Sequence, residues 1–407
     1  MSRLAIIGIG EDGLAGLSPA ARALVERAEV LIGGARHLAM VPPSAAERLA
    51  WATPLEATLP EISARRGRRV VVLASGDPMW FGIGATLLRH YAPEDMTILP
   101  HVGAFSCAAA RLGWPLADTA TISLHGRPLD MLALHLAPGA RVLALSENRD
   151  TPAAVARFLT RNGWGPSTLA VLEHLGGAAE RRLDGTAEAW PHAPGADLNT
   201  LGLVCRPGPK AMIFPRTPGL PDDAFVHDGQ LTKREVRAAT LAALAPLPGQ
   251  ILWDVGAGSG SVGIEWMRAA DHAEAIAIER DAARRDYIAR NAAALGVPGL
   301  RIVAGDAPTA LAGLPAPDAA FIGGGLSSPD LVEACFNALK PGGRLVANAV
   351  TLEGEAALVA WHARHGGDLA RLAISRAAPV GPFQGWRSLM PVTQWALRKP
   401  PVWQSNG

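Results

Sequence analysis

Residues 251–268 read ILWDVGAGSGSVGIEWMR. Ile251, Leu252 and Trp253 run into Asp254, glycines follow at 256, 258 and 260, and the next residues continue in a helical pattern. The stretch therefore reads as strand, ligand loop, helix. Closely spaced glycines let a ligand approach the backbone. A dinucleotide fingerprint would place its third glycine at 261, where this chain has Ser261. Two further strand ends follow in order: AEAIAIERD carries Glu279 about one helix beyond the loop, and RIVAGDAP offers Asp306. Three strand-end features in succession are far more specific than any one of them.

A chain of 407 residues calls for two or three domains. With 49% hydrophobic and 18% charged residues it has ample material for buried cores and is too apolar for general disorder. A formal net charge of +1 argues against global steering towards nucleic acid. Cys107, Cys205 and Cys335 are isolated and odd in number, which gives neither a disulfide framework nor a zinc knuckle. The start, MSRLAIIGIGEDGLAG, breaks its apolar run with Glu11 and Asp12 and has no basic leader region or cleavage site. No apolar run reaches membrane-spanning length, so a cytoplasmic protein is expected.

The first half alternates β and α patterns. Leu4 to Ile9 reads as a strand, Ser18 as an N-cap with Pro19 at N1, Ala20 to Ala28 as the helix, and Val30 to Ile32 as the next strand. Gly8, Gly10 and Gly13 fit GxGxxG, but the helix starts about five residues late and VLIGG ends in glycines rather than an acid, against a nicotinamide site. Arg69 to Ala74 is a strongly apolar strand entering SGDPMWFG (75–82), where Pro78 ends the strand and Gly82 and Gly84 permit close helix packing. TILPHVG (97–103) precedes an Ala-rich helix at 106–111, and TISLHGR (121–127), RVLALSENRDTPAAVARFL (141–159), STLAVLEHLGG (167–177) and NTLGLVC (199–205) continue the alternation. This succession exceeds a minimal nucleotide-binding unit and allows two α/β subdomains with a cleft between them.

Prolines at 207, 209, 215, 218 and 221 mark an extended connector, so the expected division is 1–207, a connector at 208–227, and 228–402. In DGQLTKREVR, Thr232 and Glu235 have capping-box spacing, which predicts a helix from Lys233. Lys233 and Arg234 then oppose the macrodipole in the first turn, a local cost that an anionic ligand would relieve, and Arg237 lies one turn on. DAAFIGGG (318–325) reads as a strand, Pro329 to Leu339 as a helix and KPGGRLVANAV as a turn into a strand. HARHGGDLARLAISRA and SLMPVTQWALRKP supply the closing strands.

The GxGxG loop with Glu279 and Asp306 resembles the class I methyltransferases, which bind S-adenosylmethionine. That resemblance implies cofactor contacts at Gly256, Gly258 and Gly260, ribose hydroxyls on Glu279, adenine near Asp306, and Asp254 as a loop organiser approaching the methionine amino group. The opening GIGEDG with SGDPMWFG, HVGAFSCAAARLGW, SLHGR and SENRDTP resembles the tetrapyrrole methylase family, in its corrin-synthesis branch. It implies a second S-adenosylmethionine site at Gly10, Gly76, Asp77, Pro78, Gly103 and Ser106. The family usually writes Pro-Gly and paired hydroxyls in the third loop, where this chain has Val102 before Gly103 and Ser106 alone. The expected fold is α/β: an N-terminal two-subdomain tetrapyrrole methylase fold, then a Rossmann-like class I seven-stranded sheet.

The fusion itself resembles the decarboxylating two-domain C-methyltransferases of vitamin B12 synthesis. It implies methylation of reduced precorrin-6 at C5 by the first domain, and at C15 with loss of the ring C acetate carboxyl by the second, giving precorrin-8. A carboxylate-rich macrocycle calls for cations around an apolar bed. Arg127, Arg234 and Arg387 are the expected substrate contacts, Lys233, Arg237 and His125 the expected catalytic groups, and Trp80 and Trp386 candidate bed residues. No metal is expected, since His101, His125, His135 and His174 fall on different elements. The expected partners are the precorrin, further copies of the chain and transiently neighbouring pathway enzymes, without nucleic acid or membrane. Two alternatives remain: a cobalt-bearing substrate, and a class I RNA or protein methyltransferase with an accessory binding domain. FIGGG at 321–325, in place of an Asn/Asp-Pro-Pro-Tyr motif, disfavours base methylation.

Overall fold

The six residues LAIIGI are all buried as strand β1 (Leu4–Ile9), as a continuous apolar run requires at the centre of a parallel sheet. In the computed structural model, which describes residues 4–326, 328 and 330–401, β1 lies between β4 (Val70–Ser75) and β5 (Met96–Leu99). Beyond β4 come β2 (Val30–Gly33) and β3 (Glu47–Ala50), all parallel, in the order β3-β2-β4-β1-β5. Helix α1 (Pro19–Glu26) starts as expected, with the Ser18 hydroxyl accepting from the Ala21 amide, and ends two residues short of Ala28. Helices α2 (Ala35–Ala39), α3 (Leu59–Ala64) and α4 (Ile83–Leu87) complete this layer, and α5 (Ala104–Leu112) follows, with Phe105 and Ala108 packed among Leu143 and Leu172 of the next sheet. A second sheet holds β6 (Ala120–Ser123), β7 (Arg141–Leu145), β8 (Thr168–Glu173), β9 (Arg181–Thr186) and β10 (Asn199–Val204), ordered β6-β7-β10-β8-β9. Helix α6 (Thr151–Arg161) follows β7.

The chain forms two units: everything up to Leu129 together with His135–Met212, and Asp130–Leu134 together with the chain from Ile213. The second unit opens with α7 (Arg234–Leu244), β11 (Ile251–Val255), α8 (Ser261–Ala269), β12 (Glu274–Glu279), α9 (Ala282–Ala294) and β13 (Arg301–Ala304). It continues with β14 (Ala319–Ile322), α10 (Leu331–Ala338), β15 (Arg344–Ala349), α11 (Leu352–His365) and β16 (Asp368–Leu372). It closes with β17 (Ser375–Val380), β18 (Phe383–Ser388) and β19 (Val392–Arg398). The expected seven-stranded sheet has the order β13-β12-β11-β14-β15-β19-β16, with β17 and β18 forming a separate hairpin. Strand order reverses between β11 and β14, which puts the ligand crevice at the carboxyl end of β11. Pro329 and Val402, expected boundary residues, lie outside the described residues.

Two local expectations need correction. The segment after Met212 is not a free connector: Leu220 and Phe225 are buried in the same apolar cluster as Leu241 and Trp266. Burial is worth about 1.5–3 kcal/mol for a side chain of this size, enough to hold the segment on the second unit. The capping box is also absent. Helix α7 begins at Arg234 with Lys233 as N-cap and no side-chain cap, while Asp222 Oδ1 accepts from the Arg234 amide at 2.9 Å. A carboxylate twelve residues away thus serves the exposed N–H and offsets the local positive charge. Among the described residues no helix is long and apolar enough to cross a membrane.

Candidate active sites

In the second unit the loop after β11 has Gly256, Gly258 and Gly260 at φ +69°, +60° and +77°, a left-handed run that side chains would strain. A Cβ on Gly256 would lie 3.1 Å from the Gly324 amide nitrogen, so the loops after β11 and β14 meet backbone to backbone. Glu279, buried at the end of β12, accepts from the Gly258 amide through Oε2 (2.9 Å) and from the Asp281 amide through Oε1 (3.0 Å). Each oxygen keeps a further lone pair, so this carboxylate fixes the loop and still has acceptor capacity for vicinal hydroxyls. Asp254 is fully buried and accepts from the Gly263 amide through Oδ2 at 2.8 Å, while Oδ1 is buried without a partner. Burial pushes its carboxyl up to about 7, the Glu279 charge acts in the same direction, and the Gly263 hydrogen bond opposes both. An unsatisfied buried acceptor beside a glycine loop and a ribose-type carboxylate fits a nucleoside bearing an ammonium group. Asp306 is exposed and 3.6 Å from Arg280.

In the first unit the ends of β1, β4 and β5 touch through backbone. A Cβ on Gly8 would sit 1.9 Å from the Gly76 carbonyl oxygen, and one on Gly76 (φ +53°) would sit 2.8 Å from Gly103 Cα. A Cβ on Gly10 would meet side chains instead, Asp12 Oδ1 at 2.6 Å and His101 Cε1 at 2.8 Å. Asp77 Oδ1 accepts from the Met79 amide at 2.8 Å and shapes the turn, while buried Pro78 receives the Gly84 amide on its carbonyl at 2.9 Å. Gly103 is the N-cap of α5 and Ser106 is exposed on its first turn. Next to these loops Met79, Trp80 and Phe81 are exposed, and the Arg127 guanidinium lies 4.9 Å from the Phe81 ring centroid. That combination suits the face and carboxylates of a flat macrocycle. Phe81, at φ +54°, was not singled out by the sequence reading. His125 is largely exposed and 3.4 Å from Glu147. A further cluster of Glu11, Arg36, His37, Ser75 and His174 adjoins the same strand ends; its sequence signal is the Arg36-His37 pair shortly after Gly33 and Gly34.

Residues 3–190 match the model of the tetrapyrrole (corrin/porphyrin) methylases, and residues 223–399 that of a precorrin methyltransferase domain. A precorrin-6Y C(5,15)-methyltransferase [decarboxylating] of a Sinorhizobium species is 51% identical over 97% of this chain and 96% of its own. The chain belongs to the precorrin-6Y C(5,15)-methyltransferase (decarboxylating) family. Two shorter relatives each match less than half of the chain. A cobalt-precorrin-7 C(5)-methyltransferase of Salmonella typhimurium is 35% identical over 44% of this chain and 88% of its own. A protein of Pyrobaculum calidifontis named a probable cobalt-precorrin-6B C(15)-methyltransferase (decarboxylating) is 34% identical over 43% and 93%.

For a member of this methyltransferase family, the cations at the start of α7 divide sharply. Arg237 is fully buried: Nε donates to Glu265 Oε1 at 2.6 Å, Nη1 to the Thr232 carbonyl and Asp222, and Nη2 to the Leu220 carbonyl. Four of its five N–H donors are engaged by the fold and the side chain is closed to solvent, so the expectation of a catalytic Arg237 is corrected to a structural one. Lys233 is half-buried with no side-chain partner among the described residues, and Arg234 is exposed. Arg376, which the sequence reading passed over, pairs with Asp222 (2.9 Å) and Glu235 (2.6 Å) and ties β17 to the start of α7. Arg387 stands directly across the hairpin from Arg376, which puts both on one hairpin face. Trp386 is exposed on β18. Burial pushes the Cys205 and Cys335 thiols up to about 11 and about 12, so neither is a ready thiolate.

Proposed function

We propose that this chain methylates a reduced precorrin-6 macrocycle twice from S-adenosylmethionine, at C5 in the first unit and at C15 in the second, and that the second unit also directs loss of the ring C acetate carboxyl. The observation that carries this reading is the pair of separate glycine-lined strand-end sites, one in each unit and each inside its own family match. The two half-length relatives, named for a C(5) reaction and for a decarboxylating C(15) reaction, support the division of labour. The relative that matches nearly the whole chain is named without cobalt, which favours the metal-free substrate.

Bound S-adenosylmethionine supplies an electrophilic methyl group at each site. In the second unit Glu279 accepts the ribose hydroxyls, Asp254 Oδ1 pairs with the ammonium group, Gly256, Gly258 and Gly260 give backbone approach, and Asp306 lies towards the adenine. Lys233, with Arg234 and Arg387, holds substrate carboxylates and orients the acetate whose carboxyl leaves as carbon dioxide, the broken C–C bond's electron pair passing into the conjugated macrocycle before a proton from solvent completes the remaining methyl group. In the first unit Gly10, Gly76, Asp77, Pro78, Gly103 and Ser106 form the cofactor cradle. Trp80, Phe81 and Arg127 receive the macrocycle face and a side-chain carboxylate, and His125 stands at the rim.

The test is Glu279→Ala in the full-length chain. Losing charged hydrogen bonds to two hydroxyls costs about 2–4 kcal/mol of cofactor binding at that site, about 30- to 1000-fold. Reduced precorrin-6 should then gain no methyl at C15 and keep its acetate. Given the C15-methylated, decarboxylated macrocycle instead, the same variant should methylate C5 at the wild-type rate. Unaltered C15 labelling in the folded variant overturns the assignment.

A further inference from the structure

Methylating C5 creates a requirement that the glycine loops do not meet. As the C5 electron pair forms the C5–CH3 bond, the S–CH3 bond breaks and its pair stays on sulfur. C5 then carries both hydrogen and methyl, and the macrocycle holds a positive charge. Conjugation returns only when the C5–H pair flows back into the ring and the proton passes to a base.

The cluster beside Gly76 is built for such a transfer. Ser75, the exposed last residue of β4, places Oγ 2.9 Å from His37 Nε2 and 3.1 Å from Arg36 Nη2, and Arg36 Nη2 lies 2.9 Å from His37 Nε2. A guanidinium only donates, so Nε2 is unprotonated and the ring is neutral with its hydrogen on Nδ1; its single lone pair takes the Ser75 hydroxyl when Arg36 Nη2 donates to Ser75 Oγ. Nδ1 is buried without a partner, which confines exchange to the Nε2 side. Glu11, from the loop after β1, pairs with Arg36 through one oxygen and lies 3.0 Å from His174 Nδ1 through the other. The charged groups facing the His37 ring are therefore Arg36 on its own helix and Glu11 across from it. Burial lowers the His37 pKa to about 4, Arg36 adds to that and Glu11 opposes it, so the ring is unprotonated at neutral pH.

We propose that Ser75 and His37 remove the C5 proton: it passes to Ser75 Oγ as the Ser75 hydroxyl proton passes to His37 Nε2, and the imidazolium then releases it to solvent. Arg36 is a positioning residue that fixes the ring, and Glu11 offsets the charge created. A weak base suffices because a C–H on a cationic conjugated ring is acidic. This rests on the assignment of C5 methylation to the first unit.

The test uses the full-length chain with C15-methylated, decarboxylated macrocycle carrying deuterium at C5. In His37→Ala the first-turnover yield of S-adenosylhomocysteine should stay at one equivalent, while steady-state turnover falls about 100-fold or more. Quenched product should keep its deuterium, and imidazole should restore its loss. Ser75→Ala, at an exposed strand end, should give the same retention of deuterium and serves where His37→Ala does not fold. Wild-type turnover with deuterium lost normally in either folded variant overturns the proposal, as does loss of first-turnover methyl transfer with cofactor affinity intact. A wild-type chain that puts no methyl on C5 instead overturns the functional reading beneath it.

Discussion

Replacing Arg237 by Met separates a structural cation from a substrate contact. Its side chain is 0% exposed and that of its partner Glu265 2%, so the substitution leaves a buried carboxylate that keeps the Gly219 and Leu220 amides but has lost its paired guanidinium. Removing one partner of such a pair costs about 3–5 kcal/mol, a large share of the roughly 5–15 kcal/mol that stabilises an ordinary domain. The loss should be confined to the second unit. Hydrogen exchange read by mass should show faster opening in peptides covering 219–244 and 261–270, with peptides of β1 and β4 unchanged. Adding Glu265→Gln should recover much of the stability, because the uncompensated charge is then gone. A change within about ±0.5 kcal/mol, the range of an unremarkable surface substitution, together with selective loss of precorrin binding would refute the structural role and return Arg237 to the substrate.

Lys233→Ala should leave S-adenosylmethionine binding intact while weakening precorrin binding and slowing carbon dioxide release; titration with substrate and counting of released label check it. Asp254 has a folded pKa of about 7, above the ordinary carboxylate value, so its contribution to stability is full below about pH 4 and is lost as pH rises through about 7. The stability of the second unit relative to an Asp254→Asn variant should therefore fall across that window, as hydrogen exchange at pH 5 and pH 8 would show. Gly76→Ala puts a Cβ against Gly103 at a positive φ and should destabilise the first unit by about 1–3 kcal/mol, read from its denaturant midpoint.

The parts legible in the sequence were those whose signal is local. Strand β11, its glycine loop and Glu279 at the end of β12 follow from apolar runs broken by residues with special backbone needs, and Ser18 caps α1 as its type and place require. Strands β3 and β9 were missed because ERLA and RRLDGT carry no buried face, lying at or near sheet edges where polar side chains are tolerated. Helix α11 was missed because its His- and Arg-rich end runs into Gly366 and Gly367, and the sequence reading joined that end to the next strand. Arg237 was misread because the macrodipole argument sees only neighbours in sequence, whereas Asp222, Glu265 and the Leu220 carbonyl reach it through the fold. The cluster around His37 joins residues 25, 38 and 163 positions apart, which no window along the chain brings together.

The most direct measurement supplies the purified full-length chain with reduced precorrin-6 and S-adenosylmethionine carrying a 13C methyl group, and locates the label by NMR while released carbon dioxide is counted. Two labelled methyls, at C5 and C15, with one carbon dioxide lost per macrocycle are predicted. A product that lacks either methyl, or that gains both and keeps its ring C acetate, would contradict the assignment of two methylations and a decarboxylation to this chain.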